Sequence, residues 1–184
     1  MPRTFLLAKL VILSLVLAFT GPPRAEAQQG TIEVNWRIAG TFISGVEVTN
    51  PVTSVSKPHA LIHVQAVGSP GKAVIRALGS GADSPSGVCL QGQGLVFDLV
   101  RNDLVATFSD LSLLAAALDN GSVCVNLFTG EIQGEIHLVV TGGTGRFAGA
   151  TGNLTIQNFV IRPVSEFASL AFETGEIVGT IQVP

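Results

Sequence analysis

Apolar and polar residues alternate singly along several stretches of this chain, and a period of two is that of a β-strand with one buried face. In the clearest stretch, residues 31–38, four apolar side chains including Trp36 share one face, and polar side chains share the other. Gly40 interrupts this run, and residues 41–48 form a second apolar run with a kink predicted at Gly45. The pattern therefore predicts two consecutive strands.

Further strand-like segments follow at intervals of about 8–12 residues, separated by turn-forming residues. Gly68-Ser-Pro-Gly71 and Asn102-Asp103 are predicted hairpin turns, and Asp119-Asn-Gly-Ser122 is predicted to be another turn. This spacing favours an all-β antiparallel sandwich or barrel. The predicted later strands cover residues 59–67, 72–78, 95–101, 104–108, 123–128, 132–140 (interrupted at Gly134), 154–163, 167–173 and 177–183.

One segment, residues 110–118, fits either type of secondary structure. Asp110 is a suitable N-cap residue and three alanines follow it, which favours a short helix. The apolar run is too short for its periodicity to exclude a strand. The sequence therefore predicts at most one short helix.

Three predicted strands carry polar residues that are candidates for a site. Symmetric pairing about the first hairpin turn places His63 opposite Arg76 and Gln65 opposite Val74. This polar face is either directed into a cavity or is the solvated outer face that antiparallel sheets commonly keep. Asp98 alternates with apolar neighbours, so it either points inward and needs a partner or faces solvent.

The glycine-rich segment 141–152 lies between two apolar runs and has two interpretations. Residues 143–148 fit the relaxed dinucleotide-binding pattern G-x-G-x-x-A, which requires a following helix to hold a pyrophosphate. The residues after it have turn chemistry and then a strand pattern. We therefore expect a connection between two strands, with Phe147 as an apolar anchor in the core and no bound cofactor.

The string GGTGRFAGATG at residues 142–152 precedes a Leu-Thr-Ile strand and resembles the signature of the allene oxide cyclase and dirigent β-barrel superfamily. It is most similar to small secreted bacterial members, and the resemblance covers roughly residues 120–184. It implies an eight-stranded closed antiparallel barrel, often assembled as an oligomer, in which the motif builds the barrel. No cyclase or dirigent active-site residue has a matching local motif here. The signature residues are Gly142, Gly143, Gly145, Phe147, Gly149 and Gly152.

The first 27 residues have the organisation of a secretory signal peptide, with basic residues, a short apolar run and the cleavage pattern Ala25-Glu26-Ala27. An uncleaved N-terminal anchor is the alternative. Residues 28–184 then form one barrel domain, and no later apolar run is long enough to span a membrane as a helix. Of the 10 basic and 13 acidic residues, 7 and 12 lie in this part, which has no basic stripe for nucleic acid.

Cys89 and Cys124 are the two cysteines of the chain. In an exported protein an even pair predicts one disulfide, and a pair of free thiols is the alternative. A secreted location, extracellular or periplasmic, follows from the signal peptide and agrees with a disulfide.

Motifs for established enzyme chemistry are missing from the sequence. There is no nucleophile elbow, no H-E-x-x-H zinc motif and no phosphate-binding loop. Glu135 and His137 share one face of a predicted strand, but two ligands make an incomplete metal site, so we expect no metal. The weak candidates for acid–base catalysis are His63, Arg76 and Asp98, together with Glu47.

Three hypotheses about function remain. The first is a secreted barrel that binds a small apolar ligand or a protein partner without catalysis. The resemblance implies two others: a cyclase that confines an unsaturated substrate, and a dirigent-like protein that guides radical coupling. A filled barrel interior argues against both guided reactions, whereas an apolar cavity with one or two inward polar groups is compatible with them.

Overall fold

Nine antiparallel β-strands account for most of the residues that the computed structural model describes, which are 30–49, 56–89, 94–164 and 169–184. Side chains at 47–49 and 56–58, and the predicted signal peptide at 1–27, lie outside the described part. The strands are β1 (Gly30–Thr49), β2 (Ser56–Ser69), β3 (Ala73–Gly81), β4 (Gly87–Val88), β5 (Gly94–Phe108), β6 (Leu113–Asn126), β7 (Ile132–Gly143), β8 (Thr151–Pro163) and β9 (Leu170–Val183).

Eight of these strands form a closed barrel. Each strand from β5 to β9 pairs with the next along the chain, β9 pairs with β1, and β1 to β3 continue the sheet. Pairing between β3 and β5, from Ala73 opposite Phe108 to Gly81 opposite Leu99, closes the ring. The two-residue strand β4 lies beside the start of β5. The predicted eight-stranded antiparallel barrel is confirmed, and the sandwich alternative is wrong.

The register of the first hairpin is the predicted one. His63 lies opposite Arg76 and Gln65 opposite Val74, and these side chains are exposed on the outer face of the barrel. Residues of the alternate phase, such as Val64, are buried in the core. The turn chemistry and the alternation specify the same register here, which is why local sequence was sufficient.

The predicted break at Gly40 is wrong, because β1 runs through it without interruption. A Cβ atom at this position would lie 2.1 Å from the carbonyl oxygen of His63 on β2, so glycine allows close approach of two strands. The kink predicted at Gly45 is confirmed. Its φ is +74°, and the pairing with β2 shifts register between Ile43 and Val46. The interruption predicted at Gly134 is wrong, as at Gly40, because Gly134 lies within the continuous strand β7.

The hairpin predicted around Asn102-Asp103 is also wrong. Both residues lie within the single strand β5, where Asn102 pairs with Gly79 of β3 and is 2 % exposed. Two apolar runs joined by two polar residues have the same local pattern in a hairpin and in a long strand. Here the partner strand is supplied by barrel closure rather than by the next residues along the chain.

Residues 113–126 form the continuous strand β6, so the helix considered for 110–118 and the turn predicted at 119–122 are both wrong. Asp110 does not cap a helix: its Oδ1 accepts a hydrogen bond of 3.0 Å from the Ser112 backbone in the turn before β6. Leu114 and Ala116 point into the core in strand alternation. Of the remaining predicted pair, 167–173 and 177–183, residues 170–173 and 177–183 belong to one strand, β9; Ser169 precedes it, and residues 167–168 lie outside the described ranges.

Aromatic residues fill one end of the barrel. The Phe108 ring lies 5.8 Å from the Trp36 ring and 4.7 Å from the Phe147 ring, measured between centroids, and Phe147 is fully buried. The Trp36 indole N–H donates a 2.8 Å hydrogen bond to the Gly71 carbonyl. The guanidinium carbon of Arg146 lies 4.6 Å from the centre of the Phe108 ring and covers this end.

The glycine-rich connection joins β7 to β8 over this filled end. It contains a single 3-10 turn at Gly145–Phe147. The element that follows is a strand, as expected for a connection between two strands and not for a dinucleotide-binding motif. A Cβ atom at Gly143 would lie 2.3 Å from the Leu113 carbonyl oxygen, so the backbone packs directly against β6. The segment therefore covers one end of the barrel and does not have the geometry of a phosphate-binding loop.

Cys89 and Cys124 form the predicted disulfide, with their Cα atoms 5.8 Å apart. Cys89 directly follows β4 and Cys124 lies in β6. Val96 of β5 pairs with Gly87 on one side and with Cys124 on the other. The cross-link therefore fastens the short β4 segment to the wall of the barrel.

Candidate ligand cavity

The interior of the barrel at the end opposite the aromatic residues holds a cavity of about 190 Å³. All eight barrel strands contribute to its wall, which places it in the lumen rather than in a surface groove. The lining is mainly apolar. Representative wall residues are Phe42, Ile62, Leu99, Ile136, Ile156 and Phe159.

Bulges in the strands decide which side chains line this cavity. In β5, Val100 and Arg101 are both exposed, because Arg101 pairs with Ser80 while Leu99 pairs with Gly81. The extra residue reverses the phase of alternation, so Leu99 faces the lumen. In β8, Asn158 has φ of +52° at another register shift, after which Phe159 faces inward.

Glu173 is the one titratable side chain among the described residues that line the cavity. It occupies an inward position of β9 and is 4 % exposed, whereas its neighbour Phe172 is 61 % exposed on the outer face. Its Oε2 atom is buried without a hydrogen-bond partner. Burial raises the pKa of the Glu173 carboxyl from 4.5 to about 7, because the ionised form loses its hydration.

Asn102 supplies a second buried polar group. It lines the same cavity from β5, and its Oδ1 atom also lacks a hydrogen-bond partner. Buried polar atoms are usually paired in proteins, so two unpaired oxygen atoms at one apolar cavity are an exception that calls for an explanation. Asn102 on β5 and Glu173 on β9 are four strands apart in the ring of eight, so the two polar residues lie on opposite sides of an otherwise apolar wall.

Neither residue was identified as a candidate from the sequence, although a signal was present for both. Glu173 is two residues from Ala171 and four from Ile177, so strand alternation alone places it on the buried face. Asn102 is likewise two residues from Leu104 and four from Ala106 in the buried phase of β5, but its dipeptide with Asp103 resembles a turn, which hid this signal.

The candidates from the sequence lie outside the cavity; His63 and Arg76 are paired on the outer face, and Asp98 lies away from them. His63, Arg76 and Asp98 are all exposed. Of the two orientations considered for Asp98, inward or facing solvent, the structure has the solvent-facing one. Arg76 is opposite Val105 of β5, seven residues from Asp98, which is roughly 23 Å along a strand. The side chain of Glu47 lies outside the described part.

Glu135 and His137 share the outer face of β7 as predicted. The His137 Nε2 atom lies 3.0 Å from Glu135 Oε1, and its Nδ1 atom lies 3.2 Å from the Thr155 hydroxyl. Within the described part of the chain, no group of three or more His, Cys, Asp or Glu side chains is arranged to hold a metal ion.

A larger depression of about 520 Å³ runs along the outside of the barrel beside the disulfide. Exposed residues such as Gln133 and Glu135 line it, and its floor includes Gly134 and Cys124. It contains none of the buried unpaired oxygen atoms found in the lumen. The cavity inside the barrel is therefore the better candidate for a ligand site.

Comparison with protein-family models and with curated proteins gives no match to this chain. Among the described residues there is no helix of the length and apolar character needed to cross a membrane. The barrel and its cavity are therefore the features of the molecule that bear on its function.

Proposed function

We propose that this protein is an exported β-barrel that binds a small, mainly apolar molecule in the cavity of the barrel. The observation that carries the proposal is the apolar cavity whose lining includes Glu173 and Asn102, two residues that each have a buried oxygen atom without a hydrogen-bond partner. Ligand sites typically combine an apolar wall with a few polar groups that orient the ligand.

The size of the cavity limits the ligand. Its volume of about 190 Å³ is below the roughly 300–1,000 Å³ of ordinary ligand sites. It exceeds the engineered apolar cavity of about 150 Å³ that accommodates benzene. The proposed ligand is therefore about as large as one substituted ring or a short hydrocarbon chain.

Export is part of the proposal and has two supports. Residues 1–27 have the pattern of a cleavable signal peptide, and the Cys89–Cys124 disulfide is the kind of bond that persists outside the cytosol. The resemblance of residues 142–152 to the allene oxide cyclase and dirigent barrels agrees with a ligand inside the barrel.

A cavity-filling substitution tests this function. Gly79 lines the cavity, and a Cβ atom added there would meet its nearest neighbour at an ordinary 3.6 Å. We expect Gly79→Ile to fold and to lower the affinity for a small apolar probe such as toluene at least tenfold. Gly87→Ile is the matched control, because a Cβ atom there would have nothing within 4 Å.

Native mass spectrometry of the wild-type protein purified from its own host provides the independent measurement. A co-purifying small molecule that Gly79→Ile excludes would support the proposal. Probe affinities that are equal in wild type and Gly79→Ile would contradict it, and the search would then move to protein partners of the outer surface.

A second candidate is the guided cyclisation or coupling of a hydrophobic substrate within the same cavity. It is favoured by Glu173, because a carboxyl with a pKa of about 7 can exchange a proton with a bound substrate at neutral pH. Turnover of an unsaturated probe that Glu173→Gln slows without weakening binding would distinguish this candidate from simple binding.

A further inference from the structure

We propose that ligand binding in the cavity is coupled to the protonation of Glu173: the apolar ligand binds while this carboxyl is neutral and is released when it ionises. This inference rests on the proposed function, because it assigns a regulation to the same cavity. Two features of the structure support it, namely the position of Glu173 in the cavity wall and the small volume of the cavity.

Glu173 lies in the apolar wall with uncharged neighbours on both adjacent strands, Gly40 of β1 and Ile161 of β8. Its Oε2 atom is buried and accepts no hydrogen bond. A carboxylate ion in such surroundings loses its hydration without a compensating partner, whereas a neutral carboxyl loses far less. The wall therefore favours the neutral form of Glu173, and burial raises the pKa of this carboxyl to about 7.

No other titratable side chain is among the described residues that line the cavity from the eight barrel strands. On β2, His59 is in the outward phase, since its neighbour Ala60 lines the cavity. The side chains of Glu47 and Lys57 lie outside the described part. The remaining charged residues of β9 and of the two strands beside it are in the outward phase: Glu33 and Arg37 on β1, Arg162 on β8 and Glu176 on β9.

The cavity is too small for a ligand and a hydrated carboxylate together. An apolar cavity of about 150 Å³ accommodates benzene, so a ring-sized ligand fills most of the 190 Å³ available here. Ionisation of Glu173 requires water at the carboxylate, and this water competes with the ligand for the same space. By reciprocity, a ligand that excludes the water favours the neutral carboxyl.

The affinity of the folded protein for toluene at pH 6 and at pH 8.5 tests the coupling. Toluene does not titrate, so any pH dependence arises from the protein. We expect toluene to bind about tenfold more weakly at pH 8.5 than at pH 6, because Glu173 changes from mostly neutral to mostly ionised in this range. Glu173→Gln keeps the shape of the side chain without the titrating proton, and its affinity should be the same at both pH values.

Proton uptake is a second measurement, and it requires no variant. Calorimetry at pH 7.5 in two buffers of different ionisation enthalpy counts the protons that the wild-type protein takes up when toluene binds. We expect uptake of a measurable fraction of one proton per toluene, and none in Glu173→Gln. Glu33→Gln is the control, since Glu33 is exposed on the outer face of β1, and it should keep both the pH dependence and the proton uptake.

The outcomes separate this coupling from the proposed function. Toluene binding that is equally tight at pH 6 and pH 8.5 and takes up no proton would overturn the coupling and leave the proposed function standing. A pH dependence that survives in Glu173→Gln would also overturn it. Absence of toluene binding to the wild-type protein at both pH values would contradict the coupling and the proposed function together.

Discussion

Glu173 and Phe172 reverse the usual distribution of residues in a strand, since the carboxyl side chain is inside the barrel and the aromatic ring is outside. Shifting β9 by one residue would exchange them but would also expose Ile177 and Ile181, which are buried in the same phase. The other core positions of β9 therefore hold Glu173 inside. A buried ionisable group without a partner is a common mark of a functional site.

The burial of Glu173 leads to a pH-dependent stability. Its pKa is about 7 in the folded protein and 4.5 in the reference state, so the folded state binds more protons between these values. Stability is then highest below pH 4.5 as far as this group is concerned, and it declines as pH rises through 7. We expect Glu173→Gln to remove this decline and to stabilise the protein at pH 8 by up to about 3 kcal/mol.

Urea denaturation of wild type and Glu173→Gln at pH 5 and pH 8 measures the effect. The Ser112 backbone hydrogen bond lowers the pKa of Asp110, and the Gln133 hydrogen bond lowers that of Glu131, so both titrate below this window. Glu33→Gln should behave like wild type. A wild-type protein no less stable at pH 8 than at pH 5, relative to Glu173→Gln, would contradict the expectation.

At the scale of the strand, residues that resemble breaks in the sequence prove to be internal. Gly40 lies within β1, Asn102 within β5, and residues 119–122 within β6. In each case a small or polar residue is accommodated by a neighbouring strand that is distant in sequence or by a bulge. Strand boundaries were the least predictable feature because turn chemistry describes only local preferences.

Gly40 provides a test of close strand contact. A Cβ atom there would lie 2.1 Å from the His63 carbonyl oxygen and 2.6 Å from the Val64 Cα atom, both of which are backbone atoms. We therefore expect Gly40→Ala to destabilise the protein by about 1–3 kcal/mol through overpacking. Thermal and urea unfolding would measure this loss.

Gly87→Ala is the appropriate comparison, because its added methyl group meets no neighbour within 4 Å. It should leave the unfolding midpoint close to that of wild type. An equal midpoint for Gly40→Ala and Gly87→Ala would show that β1 and β2 are not in such close contact.

At the scale of the whole molecule, the barrel has two different ends. Trp36, Phe108 and Phe147 fill one end below the glycine-rich connection, and the other end holds the cavity with Glu173. The filled end supplies a rigid core, which allows the other end to retain an incompletely packed interior with unpaired polar atoms. This division places the packed aromatic core and the proposed ligand site at opposite ends of the same strands.

The disulfide contributes at this scale because it joins segments 35 residues apart. In the chain-entropy description, a loop of this length stabilises the folded state by roughly 3–4 kcal/mol. We expect the double variant Cys89→Ala/Cys124→Ala to lose about this much stability in urea. A reductant should bring wild type to the level of the variant and leave the variant unchanged; a reductant effect on the variant would refute this explanation.

The sequence by itself determined the features that depend on near neighbours. Alternation predicted the buried face of β1, the turn chemistry predicted the pairing of His63 with Arg76, and the two cysteines predicted their bond. These features need only the period of a strand, the geometry of a tight turn or the identity of a pair.

The tertiary structure decided the closure of the barrel and the position of the candidate site. Pairing of β3 with β5 and of β1 with β9 joins distant residues, and no local pattern specifies such partners. The bulge in β5 then turned Asp98 outward and Asn102 inward. Alternation marked the inward phase of Glu173, but only a closed wall of eight strands removes its carboxyl group from water and brings Asn102 to the same cavity.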